Sequence, residues 1–179
     1  MDVKRAYFYA AAKRAIFIEL PSEDRMDGDE EMVGRLNLSL YGTRDAAQNW
    51  TQEYTRTLIK AGFTVGKASP CHFWHENKQL ALTVHGDDFT ISGSEDNLNL
   101  LTEEMKKKWD IKSAILGPDH HHASEIKVLG RRLRWTAAGI EYEADPRHKQ
   151  VIIDELGLGD CKAVTTPFGP QEQGRSEEQ

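Results

Sequence analysis

The sequence predicts an α+β fold in which an antiparallel sheet is backed by helices. Short runs of alternating apolar and polar residues are typical of strands. In this sequence they come in pairs, and turn-forming residues separate the two members of each pair. Between these pairs lie longer segments with apolar residues at three- and four-residue spacing, which is typical of amphipathic helices. The predicted order is strand, strand, helix, hairpin, helix, hairpin, helix.

The first half of the chain predicts two strands and a helix. Residues 6–10, AYFYA, are rich in aromatics, and residues 15–20, AIFIEL, alternate apolar and polar side chains. An acidic loop follows over residues 21–32. A helix is expected over residues 44–61, because its apolar residues recur on one face between an N-cap at Thr43 and a stop at Gly62.

The second half predicts two hairpins and two helices. Residues 72–75, HFWH, predict a strand. In the first hairpin the turn Gly-Asp-Asp, residues 86–88, joins the apolar strands LALTVH and FTISG. The next helix begins after Ser94 and ends at the lysines of residues 106–108. Residues 125–143 predict the second hairpin. Asp145 and Pro146 form a cap and first turn for a last helix that ends near Gly157. The tail from residue 169 has no apolar anchor and is expected to be disordered.

The composition describes a folded but polar chain of 179 residues, 39% hydrophobic and 29% charged. Its two cysteines, Cys71 and Cys161, lie far apart, which excludes a disulfide-dense scaffold and suits a reducing compartment. No apolar run approaches the roughly 18 to 20 residues of a membrane helix, and the N-terminus lacks the apolar stretch of a signal peptide. We therefore expect no membrane partner.

The charge balance argues against binding of nucleic acid through a broad basic surface. The chain has 23 basic and 29 acidic residues, for a formal net charge of -6, whereas proteins that bind nucleic acid in this way are usually positive. Three interpretations stay open: another kind of partner, acids concentrated at metal ions, or basic segments supplied from elsewhere.

The pair Asp87–Asp88 is the sharpest chemical feature. Two unit charges about 4 Å apart repel by roughly 4 kcal/mol at an effective dielectric near 20, and a divalent cation reverses that term. If the strand that Asp2 opens lies beside this hairpin, three carboxylates form one site for two metal ions roughly 3.5 to 4 Å apart. Ordinary turn chemistry is the alternative for the pair on its own.

The run Asp119-His120-His121-His122 is a weaker candidate for a metal site. Consecutive histidines on a loop are not expected to converge on one tetrahedral ion, and no cysteine lies near them. We therefore expect a solvated loop.

Several segments together resemble the reverse transcriptase of copia-type LTR retrotransposons. They are DVKRAYFYA, LSLYGTRDAAQNW, AGFTVGKASPCHFW, VHGDDFTISG, VLGRRLRW with GIEYEADPRHKQVIIDELGL, and TTPF, in the family's order between Asp2 and Phe168. The resemblance implies a polymerase palm-like antiparallel sheet with the start of a thumb at its C-terminal end.

The resemblance also implies roles for individual residues. Asp2, Asp87 and Asp88 would ligate two Mg²⁺ ions, with Mn²⁺ as an alternative, for nucleotidyl transfer. Tyr7 would clash with a ribose 2′-hydroxyl and so select deoxynucleotides; a plain core tyrosine is the alternative. Tyr41 and Gly42 would line the nucleotide pocket, or else form only a turn into the helix.

Candidates for nucleic-acid contact are His85, Gly86, Arg132 and Arg134. Strand alternation puts the two arginines on one face, where they could track phosphates. His85-Gly86 stands where the family usually has Tyr-Val, so His85 is either a primer contact or a strand residue facing a neighbour. Asp45 stands where the family usually has Gln, an unexpected acid beside a triphosphate pocket.

The resemblance begins at the first palm motif, which suggests a truncated polymerase. Residues 1–135 would be a palm core without fingers, residues 136–168 the step to the thumb, and residues 169–179 a tail. Implied partners are an RNA or DNA template-primer, deoxynucleotides, and the remaining Pol segments: integrase, fingers and ribonuclease H. The implied location is intracellular, in the cytoplasm or a retroelement particle.

Three functional interpretations stay open. The first is a fragment of a reverse transcriptase that extends a primer 3′-OH. The second is an inactive retroelement remnant that folds or binds nucleic acid without polymerising. The third, an RNA-dependent RNA polymerase palm, draws on Gly-Asp-Asp alone, and Tyr7 argues against it.

Overall fold

The computed structural model describes residues 1–29, 31–144 and 146–162. These residues contain three α-helices and eleven strands. The paired strands run antiparallel, so the predicted mixture of helices and antiparallel sheet is confirmed. The chain divides into two compact units, Met1–Ile115 and a second that begins at Leu116.

The first unit is built on a six-stranded sheet. Its strands are β1 Asp2–Val3, β4 Thr64–Val65, β5 His72–His75, β6 Leu80–His85, β7 Asp88–Ser92 and β8 Ile111–Lys112. Their order across the sheet is β4-β5-β6-β7-β1-β8. Strands β5, β6 and β7 match the predicted runs. Strands β4 and β8 were not predicted, because two residues are too short to show alternation.

Two helices cover one face of this sheet: α1, Ala46–Lys60, and α2, Glu95–Lys106. Ser94 and Gly62 (φ +95°) bound these helices as predicted. The predicted N-cap at Thr43 is wrong: Asp45 occupies that position. The Thr43 hydroxyl instead donates to the Leu40 carbonyl at 2.7 Å, within the preceding turn.

The core between helices and sheet is aromatic. Trp50 lies at its centre, with ring centroids 5.0 Å from Trp109, 5.6 Å from Tyr54 and 6.3 Å from Phe89. These four rings meet mostly edge to face, which is the favoured geometry for aromatic pairs. Alternate residues of β5, β6 and β7 point into this core, as a period of two requires.

The predicted strand over residues 6–10 is wrong. After β1 the chain turns at Arg5, whose φ is +54°, into a 3₁₀ turn over Ala6–Tyr9. Small Ala6 and Ala10 are buried here, whereas the neighbouring aromatics are half-buried or exposed. Aromatic content favours a strand, but burial of the two alanines sets the local conformation.

The predicted strand over residues 15–20 forms as β2, Phe17–Glu19. It pairs with β3, Val33–Arg35, in a separate two-stranded sheet. Strand β3 follows the acidic segment and was not predicted.

The second unit contains a three-stranded sheet of β9 Glu125–Val128, β10 Arg131–Thr136 and β11 Gly139–Ala144. The sequence predicts one hairpin here, with EIKVLGRRLRW as a single strand. Leu129 and Gly130 both have positive φ, +48° and +73°, and fold that run into two antiparallel strands. Gly130 makes the tight turn accessible.

The last helix, α3, spans Pro146–Glu155, and Gly157 follows it with φ +63°, as predicted. The predicted cap at Asp145, the TTPF segment and the tail from residue 169 lie outside the described residues. Among the residues that the structure describes, no helix is both long and apolar enough to cross a bilayer.

Candidate active site

The hairpin between β6 and β7 presents two of the three predicted carboxylates. His85 pairs with Asp88, so Gly86 and Asp87 form a two-residue turn. The φ of Gly86 is +64°, a backbone conformation that most side chains disfavour. A Cβ placed on Gly86 would meet no atom within 4 Å, so the space in front of this turn is open.

The first strand brings the third carboxylate to the same place. β1 lies beside β7, with Asp2 directly opposite Asp88. The Val3 N–H donates to the Asp87 carbonyl at 3.0 Å, which fixes β1 against the turn. Asp2, Asp87 and Asp88 therefore gather at one end of the sheet although most of the first unit separates them in sequence, and all three are half-buried.

The electrostatics of this cluster favour a cation. Burial, and then the neighbouring carboxylates of Asp87 and Asp2, raise the pKa of Asp88 above its ordinary value. The Met1 amino group and His85 offset this only in part. Three carboxylates supply the oxygen ligands that Mg²⁺ prefers, so the donor set fits the predicted ion.

A buried indole holds the turn in place. The Trp50 N–H donates to the Gly86 carbonyl at 2.8 Å, and the Trp50 side chain is only 1% exposed. This bond ties α1 to the backbone between His85 and Asp87. The sequence places Trp50 on the apolar face of a helix, but it carries no signal for a hydrogen-bond partner 36 residues away.

Two tyrosines lie beside the carboxylates. The rings of Tyr7 and Tyr41 stack with centroids 4.3 Å apart and planes 25° apart, and Phe8 meets Tyr41 edge-on at 5.7 Å. Burial raises the pKa of Tyr41, and the charge of Asp87 raises it further against the opposing effect of the Tyr7 N–H. Gly42, with φ +87°, makes the bend that leads from Tyr41 to α1.

The unexpected acid Asp45 is paired. Its carboxylate lies 3.0 Å from the Arg14 guanidinium, and that hydrogen bond holds the pKa of Asp45 below its usual range. Arg14 therefore offsets part of the charge of Asp45 at the start of α1.

The predicted nucleic-acid contacts lie in both units. His85 is exposed at the end of β6. Arg132 and Arg134 share one face of β10, and both pair with Glu125, at 3.3 and 3.2 Å; Arg134 also pairs with Glu141 at 3.2 Å. A phosphate at this face would compete with those glutamates, so nucleic-acid binding by the two arginines stays a prediction.

The comparison with known protein families identifies the family of this chain. Residues 1–170 match the family described as reverse transcriptase (RNA-dependent DNA polymerase). The chain belongs to that family, as its resemblance to copia-type elements predicts. The matched family differs from the RNA-dependent RNA polymerase palm that the Gly-Asp-Asp turn alone suggests.

The curated relatives are transposon polyproteins. The chain is 24% identical over 173 residues to the retrovirus-related Pol polyprotein from transposon TNT 1-94 of Nicotiana tabacum, which covers 94% of this chain and 12% of the relative. It is 27% identical over 137 residues to the truncated transposon Ty1-A Gag-Pol polyprotein of Saccharomyces cerevisiae, covering 75% and 11%. The chain thus spans about a tenth of the length of these relatives. No solved structure matches it.

Proposed function

We propose that this chain is the palm-centred part of a retroelement reverse transcriptase, and that it adds deoxynucleotides to a primer 3′-OH on an RNA or DNA template. The observation that carries the proposal is the meeting of Asp2, Asp87 and Asp88 at one end of a sheet, around an open glycine turn. Family membership over residues 1–170 supports the reaction class.

In this proposal the three carboxylates hold two Mg²⁺ ions, or Mn²⁺ ions. The bound ions would supply activation of the attacking hydroxyl and neutralisation of charge on the leaving oxygen. The raised pKa of Asp88 is consistent with a site built for added positive charge. The catalytic work assigned to the protein is positioning and electrostatic stabilisation.

The surrounding residues bind and orient the reactants. Gly86 leaves room for the primer end, because no atom lies where its side chain would be. Trp50 holds the turn through the Gly86 carbonyl. Tyr7 presents a flat ring to the incoming sugar, and the stacked ring of Tyr41 restricts its rotation. A ribose 2′-hydroxyl has no room against a ring fixed in this way.

The rest of the polymerase is proposed to lie in other Pol segments. Residues 1–135 are assigned to the palm and residues 136–168 to the step toward the thumb. Basic fingers, ribonuclease H and integrase would complete the machinery and supply positive charge that offsets the net charge of -6 of this chain. The proposed location is the cytoplasm or a retroelement particle.

A second candidate function is an inactive remnant that folds without polymerising. The observation that favours it is the exposed His85 beside Gly86, at the place where the family resemblance implies Tyr-Val. Asp45 weighs less in its favour, since Arg14 offsets part of its charge.

Primer extension by the purified chain tests both candidates. We expect extension with Mg²⁺ or Mn²⁺ on an RNA or DNA template, and a loss of at least about a hundredfold in Asp87→Asn. Asp24→Asn, which removes the same charge from an exposed loop, is the matched control and should retain activity. A chain folded by circular dichroism that extends no primer supports the remnant. Extension that survives Asp87→Asn contradicts the proposed site.

A further inference from the structure

The loop that follows the first unit has a defined shape. Between Leu116 and Ala123 the chain closes on itself, with a bridge between these two residues and a Gly117 N–H that donates to the Ala123 carbonyl at 3.3 Å. Within the loop the His122 N–H donates to the Asp119 carbonyl at 2.9 Å. This bond closes a tight turn that places the side chains of Asp119 and His122 next to each other.

Three donors converge in this loop. Asp119, His121 and His122 each offer a ligand atom, and these atoms lie within 4.8 Å of one another. The rings of His121 and His122 are adjacent, with centroids 4.2 Å apart and planes tilted by 53°. The expectation that consecutive histidines do not converge is therefore wrong for this pair, because the turn bends the backbone between them and Asp119.

The ring of His122 is held in position. Its side chain is only 5% exposed. A Cβ on Gly117 would lie 2.4 Å from His122 Nδ1, so only glycine leaves room for the ring. Nδ1 accepts a long 3.3 Å bond from the Asp119 N–H and lies 3.8 Å from Asp119 Oδ2. A ligand held by its surroundings loses little conformational freedom when an ion binds.

The chemistry of the donors selects the ion. Imidazole nitrogen and carboxylate oxygen together suit Zn²⁺ and similar transition ions, whereas Mg²⁺ prefers oxygen alone. Bonds of about 2.0–2.1 Å to a tetrahedral zinc ion separate neighbouring ligand atoms by about 3.3 Å. The ligand atoms of the three residues lie within 4.8 Å of one another, and the exposed Asp119 side chain can close the remaining distance by a change of rotamer.

We propose that Asp119, His121 and His122 bind one Zn²⁺ ion, or a transition ion of similar preference, and that this ion fixes the loop. Three protein ligands account for three of the four positions of a tetrahedral ion. The site uses residues other than the carboxylates of the proposed polymerase site and a different class of ion.

Cobalt titration of the full chain tests this proposal, because Co²⁺ reports imidazole ligation and tetrahedral geometry by its visible absorption. We expect saturable binding that Zn²⁺ reverses, and at least about tenfold weaker affinity in His121→Asn and Asp119→Asn. His120→Asn is the matched control: it removes an exposed imidazole from the same run but from outside the converging set. Its affinity should equal that of the wild type.

Two further readouts separate this loop from the carboxylate cluster and from misfolding. The cobalt spectrum should persist in Asp87→Asn, and Zn²⁺ should slow hydrogen exchange at the Gly117 and His122 amides. Circular dichroism should be unchanged in the His121 variant, whose side chain is exposed. The proposal is overturned if the wild type shows no saturable binding, if His120→Asn weakens binding as much as His121→Asn, or if the spectrum disappears in Asp87→Asn.

Discussion

The two units differ in how they bury apolar side chains. Among the described residues, all the fully buried apolar side chains lie between Val3 and Ile111, in the first unit. The second unit exposes large apolar side chains on its sheet, on α3 and directly after α3; these include Ile140, Tyr142, Val151, Ile152 and Leu156. The first unit has a closed core of its own, whereas the described residues of the second unit form apolar surface but no such core.

This difference indicates where each unit obtains its stability. The proposed polymerase site lies on the well-packed unit, so its geometry depends on core residues such as Trp50 and Phe89. The second unit has segregated sheet faces, since β10 alternates Arg132 and Arg134 with Leu133 and Trp135. Leu133 and Trp135 therefore share the apolar face of β10, and contiguous exposed apolar surface is typical of an interaction surface. Substitutions of equal size should therefore have unequal effects in the two units.

The largest difference between the two units is expected when one aromatic ring is removed from each. Trp50→Ala should destabilise the first unit by about 3–5 kcal/mol, because it leaves a large cavity and removes the bond to Gly86. Tyr142→Ala, at a side chain 68% exposed, should cost less than about 0.5 kcal/mol. Hydrogen exchange of amides in β6 and in β10 reports the two units separately. Equal losses of stability in the two variants would contradict the difference in core packing between the two units.

A medium effect is expected from an alanine at glycines with positive φ. Gly62→Ala should cost about 2–3 kcal/mol, because a left-handed backbone costs about 1–2 kcal/mol for an L-residue and the new Cβ would lie 2.9 Å from Nε2 of buried His75. The new Cβ of Gly130→Ala would meet no atom within 4 Å. This variant should therefore lose only the about 1–2 kcal/mol that a left-handed backbone costs an L-residue. Urea denaturation of the two variants measures the difference. If Gly130→Ala proves the more harmful, crowding in the first unit is not the cause.

The smallest effect concerns charge at the carboxylate cluster. The pKa of Asp88 is raised in the folded protein, so the native state binds that proton more tightly and stability falls as pH rises through the raised pKa. Asp88→Asn removes this penalty and should stabilise the protein at pH 7 by less than about 1 kcal/mol, with no gain at low pH. Thermal unfolding of the wild type and of Asp88→Asn, at low pH and at pH 7, measures the difference in stability.

Addition of Mg²⁺ is a second test of the charge at Asp88. If Mg²⁺ binds the native carboxylates as proposed, it should raise the melting temperature of the wild type more than that of Asp88→Asn. Asp24→Asn is the control for the loss of one acid and should behave like the wild type. If Asp88→Asn is less stable than the wild type at pH 7, Asp88 makes favourable contacts that outweigh its repulsion by Asp2 and Asp87.

The sequence predicts the parts of this molecule whose signals are local. Strands β5 to β7, both ends of α2 and the stop at Gly62 follow from alternation, helical spacing and capping. The predictions fail where burial, an unusual backbone conformation or a contact between distant residues decides the structure. The 3₁₀ turn after β1 depends on burial of Ala6 and Ala10, and the split between β9 and β10 depends on positive φ at Leu129. The Trp50 bond to Gly86 joins two elements whose proximity no local pattern reports.

The position of β1 in the sheet also sets the order in which the first unit can fold. The first strand of the chain lies between β7 and β8, which are made much later during synthesis. It cannot pair until those strands exist, and contacts between residues so far apart in sequence form slowly. The three carboxylates therefore come together only as the sheet is completed, so binding of Mg²⁺ at this place would report that folding of the first unit has finished.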